Sequence, residues 1–91
     1  MHLYQRNIDL CNLALESVRA VIPDHLHSHV HDYINRFDEW GLGMEMLIDQ
    51  ISEFEIKISS EQFAFIERAM EAMGMGKSHR VMYLHKNSVI A

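Results

Sequence analysis

The sequence predicts an all-α fold, a small antiparallel four-helix bundle with a C-terminal extension, on three observations. Apolar residues recur at spacings of three and four along most of the chain, which is the helical period. One proline, four glycines and 48% hydrophobic residues mark a compact chain rather than a disordered one. The breakers that are present fall where helices would start or stop. A chain of 91 residues folds as one domain burying roughly 60–65% of its unfolded surface, and 48% hydrophobic residues are enough for one core. The expected division is a helical domain over 1–76 and a basic tail or short packed element over 77–91.

In the first helix Tyr4, Ile8, Cys11, Leu15, Val18 and Ile22 step by four and three, Ala14 and Val21 widen the stripe, and Pro23 closes the element. Pro23 also fits the opening of the second helix, whose apolar positions are Ile22, Leu26, Val30, Tyr33, Ile34 and Phe37. Asp38 is the expected N-cap of the third helix, with Trp40, Met44, Leu47, Ile48, Ile51 and Phe54 on its apolar face. Gly41 and Gly43 weaken its first turn and suit close approach of a neighbouring helix.

An extended link over Glu55 to Ile58 leads to a capping box, Ser59 with Gln62. Phe63, Ile66, Met70 and Met73 form the fourth stripe, and Gly74 suits the left-handed position that ends a helix. Beyond it, "MGKSHRVMYLHKNSVIA" holds Lys77, Arg80 and Lys86 and no acid. Its apolar run Val81 to Leu84 fits a short helix, a short strand or a tail that orders only with a partner.

Histidine is concentrated in "HLHSHVHDYIN", where His25, His27, His29 and His31 alternate. On a strand they would share one face. On a helix they flank the apolar stripe in two pairs, His25 with His29 and His27 with His31, so one four-histidine metal site is excluded. Each pair has the i, i+4 spacing of zinc-binding helices but lacks a third ligand nearby, and solvated flank histidines are the expectation. Cys11 lies on an apolar stripe and is expected as core, not as a nucleophile.

The chain carries a formal charge of −5, which disfavours nucleic acid and anionic membranes as partners. No stretch approaches the roughly 18 apolar residues of a membrane span. Arg6 and Asp9 stand where a signal peptide would be apolar, and a single cysteine forms no internal disulfide. A cytoplasmic location is expected. No phosphate-binding loop, nucleophile elbow, C-x-x-C or Glu-x-x-His motif is present, so neither an enzyme nor a cofactor is expected.

Charge is segregated. Between positions 38 and 55 lie Asp38, Glu39, Glu45, Asp49, Glu53 and Glu55, with no Lys or Arg. Glu45, Asp49 and Glu53 fall in one helical line, where like-charge repulsion costs ~0.2–0.5 kcal/mol per pair and no cation on that helix relieves it. Such a line is either a solvated face or a docking surface for a cationic protein.

The run "DEWGLGMEMLIDQISEFEIKISSEQFAFIERAMEAMGM", with the preceding "IPDHLHSHVHDYINRF", resembles the MafI family of bacterial immunity proteins and related small immunity proteins of polymorphic toxin and contact-dependent inhibition systems. The resemblance spans Ile22 to Met75 and is carried by Trp40-Gly41-Leu42, "ME-x-LIDQI-x-E", "I-x-I-S-x-E" and "AMGM". It implies a non-enzymatic protein that binds and neutralises the C-terminal domain of a cognate toxin, often a basic nuclease. The four histidines and the basic tail depart from the family pattern and leave the toxin class open.

The expected binding surface is Glu45, Asp49 and Glu53, with Asp38 and Glu39 at its rim. Phe65 points away from the fourth stripe and is expected to be covered by the tail, with an exposed anchor as the alternative. A monomer is the expected state. The rival readings are a small His-rich metal-binding module and a homodimeric helical scaffold.

Overall fold

The computed structural model describes residues 4–90. The all-α expectation holds at the level of class, but among the described residues five α-helices are present rather than four. They are α1 (Gln5–Ser17), α2 (Asp24–Asn35), α3 (Trp40–Glu53), α4 (Ser60–Ala72) and α5 (His79–Ser88). A 3-10 turn covers Arg19–Val21, and two short strands, β1 (Ile58–Ser59) and β2 (Val89–Ile90), pair in parallel.

α1 packs against α2 and α4, while α3 packs against α2 and α5. α5 runs alongside α3 in the same direction, because Arg80 meets Glu45 and Asp49 near its start while Asn87 meets Lys57 near its end. The described part of the C-terminal segment, through residue 90, is therefore a packed part of the fold. Val81 and Leu84 join the same buried cluster as Leu15, Val30, Ile48 and Ile66. Each fully buried Leu or Ile of that cluster contributes about 1.5–3 kcal/mol.

The capping box at α4 forms as the sequence predicts. The Gln62 backbone N–H donates to Ser59 Oγ at 3.0 Å, and the Ser59 N–H donates to Gln62 Oε1 at 2.7 Å. Gln62 Nε2 also donates to the Ser17 carbonyl at 2.9 Å, which ties the start of α4 to the end of α1. Gly74 adopts φ +76°, the left-handed turn expected after the helix.

The junction between α2 and α3 differs from expectation. Asp38 is not the N-cap: it takes φ +57°, and Glu39 occupies the cap position without a side-chain hydrogen bond. The Glu39 N–H reaches back to the Tyr33 carbonyl at 2.8 Å, so the chain closes α2 with a left-handed residue before α3 opens. Aspartate tolerates both roles, and the tight corner selects the second. α2 thus stops at Asn35, which leaves Phe37 outside it and exposed rather than on its apolar face.

Phe54, Val21 and Tyr4 are likewise exposed, each lying at or beyond the end of the helix whose stripe was expected to include it. α1 ends at Ser17, short of the expected Pro23, yet Val18 and Ile22 remain buried through the 3-10 turn. At Gly43 α2 and α3 approach closely. A Cβ there would lie 3.0 Å from Tyr33 Cβ and 3.3 Å from Ile34 Cγ1.

Candidate functional site

The five expected partner-binding residues do not form one cluster. Asp38 and Glu39 sit at the α2–α3 corner, while Glu45, Asp49 and Glu53 follow one face of α3 toward α5. This second group has a cation in its midst, supplied by another helix. Arg80 Nε donates to Asp49 Oδ1 at 2.7 Å, and Arg80 Nη1 donates to Glu45 Oε2 at 2.5 Å. The hydrogen bond that Arg80 donates to Asp49, with the charge of both carboxylates, raises the guanidinium pKa above its ordinary value.

No cation on α3 itself relieves the acidic line, as the sequence predicts, but Arg80 of α5 pairs with two of its three members. Repulsion between Glu45 and Asp49 is relieved from α5, which brings Arg80 to the line because Val81, next in sequence, is buried. Glu53 makes no ion pair among the described residues.

Between α3 and α5 lies an open groove of about 1430 Å³. Asp49 and Glu53 stand on its α3 wall, and His79, Arg80, Met82, Tyr83, His85 and Lys86 on its α5 side. Met82 and Tyr83 are 61% and 59% exposed. The sequence alone does not place this groove, because the run Val81 to Leu84 fits a helix, a strand or a tail alike. The available signal was Ser78, whose Oγ accepts from the Val81 N–H at the start of α5.

The α2–α3 corner is the second surface. Phe37 is 54% exposed and Leu42 48%, and Asp38 and Glu39 lie between them in sequence. The Phe37 ring meets Tyr33 edge-on at 5.8 Å between centroids, and the Arg36 guanidinium carbon lies 5.5 Å from its centroid. The Tyr4 and Trp40 rings are 5.2 Å apart. Glu39 makes no ion pair among the described residues.

The histidines divide unequally. His25, His29 and His31 are exposed as expected, but the side chain of His27 is only 11% exposed. Its Nε2 lies 3.2 Å from Glu16 Oε1, linking α2 to α1, and its ring stacks on His31 at 6.0 Å. The hydrogen bond with His27 is the main cause that lowers the Glu16 pKa. Among the described residues no group of three or more His, Cys, Asp or Glu side chains is arranged to hold a metal ion.

Cys11 is buried, and desolvation pushes its thiol pKa up to about 12. The stripe placed it correctly. Phe65 is not covered by the C-terminal segment: it is exposed, with Arg68 lying 5.8 Å over its ring. The aromatic that segment covers is Phe63, on which His85 stacks at 4.6 Å between ring centroids.

No helix among the described residues is long and apolar enough to cross a membrane. The chain matches no family model, no curated protein and no solved structure.

Proposed function

We propose that this chain is a non-enzymatic immunity protein, MafI-like in type, that binds the toxic C-terminal domain of a cognate effector and blocks its active site or substrate path. The observation that carries the reading is the α2–α3 corner, where large apolar side chains, Phe37 and Leu42, are exposed and Asp38 and Glu39 lie between them in sequence. Exposed aromatics rimmed by charge are typical anchors of protein interfaces. The acidic rim suits a cationic surface, such as that of a nuclease, by speeding encounter and enforcing partner choice.

The docking centre therefore moves from the Glu45–Asp49–Glu53 line to the corner. Glu45 and Asp49 already hold Arg80, so a partner would gain less from them than from Glu39. The formal charge of −5 supports the same class of partner.

Co-expression tests this function. A toxin domain encoded in the neighbouring reading frame should be tolerated in cells that carry the wild-type chain. Phe37→Ala combined with Glu39→Gln should abolish protection and weaken the purified complex. A control with Glu67→Gln and Glu71→Gln on α4 should protect normally. Full protection by the corner variant, with unchanged affinity, would remove the corner from the interface. Failure of the wild-type chain to bind or protect would remove that toxin as its partner.

A further inference from the structure

The α3–α5 groove has a composition that a purely cationic partner does not match. Glu53 lies on one wall and Lys86 on the other, and neither makes an ion pair within its own chain among the described residues. A basic surface entering the groove would meet Lys86 and Arg80, and an acidic one would meet Glu53 and Asp49. On the same α5 wall, one turn before Lys86, stand Met82 and Tyr83, largely exposed, on a helix that also buries Val81 and Leu84. A short helix with apolar side chains on both its core face and its outer face is built for contact on two sides.

We propose that this groove is where two copies of the chain associate, about a two-fold axis running along the groove, with the α5 ridge of each copy seated in the groove of the other. Rotation about that axis exchanges the walls, so the acidic α3 wall of one copy faces the basic α5 wall of its partner. Glu53 then meets the partner's Lys86, and the partner's Glu53 meets Lys86. An isologous interface must be self-complementary in this way. Met82 and Tyr83 of each copy fill the apolar centre, the residue types enriched at interface cores. A stable interface needs about 800 Å² from each partner, about one seventh of the 5695 Å² that one chain exposes. The dimer leaves the α2–α3 corner to a different partner and does not depend on the toxin-binding reading.

The experiment is sedimentation equilibrium of the full chain, alone and at low salt, from micromolar to millimolar concentration. The wild type should approach twice 10.7 kDa. Glu53→Lys places two lysines together at both symmetric contacts, and Lys86→Glu places two glutamates there. Each should weaken association about tenfold or more. Both sites are exposed, so circular dichroism should show an unchanged fold.

An equimolar mixture of the two single variants should recover the dimer, because each contact in the mixed pair again joins opposite charges. A merely damaged surface would not be rescued by mixing. Monomers at every concentration, or a dimer indifferent to both charge reversals, would overturn the proposal.

Discussion

Arg80 and Asp49 lie thirty-one positions apart in sequence, yet a 2.7 Å hydrogen bond joins the guanidinium Nε to the carboxylate. With Glu45 accepting from the same guanidinium, the contact fastens α5 to α3. The Arg80 side chain is 41% exposed, so water and salt screen the pair and the net stabilisation is modest.

Arg80→Ala should cost about 0.5–1 kcal/mol in urea unfolding at low salt, and the loss should shrink as salt is added. Neutralising Glu45 and Asp49 together should cost a similar amount, because it strands Arg80. On an isolated α3 the same change would be stabilising by relief of repulsion. The sign of that double variant therefore tests whether α5 docks in solution as described.

Ser59→Ala removes the hydroxyl that accepts from the Gln62 N–H, and should lower stability by about 1 kcal/mol without altering partner binding. Gln62→Ala should cost more than Ser59→Ala, since Gln62 also holds the Ser17 carbonyl. Chemical denaturation of the two variants gives the order directly.

Replacing His25, His29 and His31 together by Gln should change stability by no more than about ±0.5 kcal/mol each, as exposed substitutions usually do. His27→Ala should stand apart from that set by lowering stability more than any one of them, because its side chain is only 11% exposed and links α2 to α1. Thermal melts at pH 7.5 would distinguish a single structural histidine from a uniform solvated set.

Cys11 should resist thiol reagents in the folded protein and react only as the chain opens, so labelling rates should follow unfolding. The thiol pKa is raised on folding, from its ordinary 9.0 to about 12. The unfolded chain therefore loses its proton first. The associated stability is fully present below pH 9.0 and is lost as pH rises toward 12. Alkaline unfolding of wild type against Cys11→Ala should show a slope that the variant lacks.

α4 was legible almost to the residue because its signals are local: a cap, a partner three positions on, and a glycine at the stop. α5 was not, although Val81 and Leu84 have helical spacing. Met82 and Tyr83 between them are apolar too, and they blur the period because they face outward. Parallel strands of two residues each leave no periodic trace at all. Asp38 shows a different limit, since one residue type serves both as a cap and as a left-handed corner, and only the path of the chain selects between them. The acidic line on α3 was visible in the sequence. Its neutralisation was not, because Arg80 reaches it only through the docking of α5, which rests on contacts distant along the chain.

The pairing of Ile58 and Ser59 with Val89 and Ile90 has a consequence for how the protein is made. On the ribosome α1 to α4 can begin to assemble as they appear, but the strand partner and the buried face of α5 arrive about thirty residues after β1. At typical synthesis rates of 5–20 residues per second that is a wait on the order of 2–6 s. During it the side of α3 that α5 covers faces solvent, and the edge of β1 has no ladder. A nascent chain held at that stage is the form most open to chaperones and to mispairing with its neighbours on the same message.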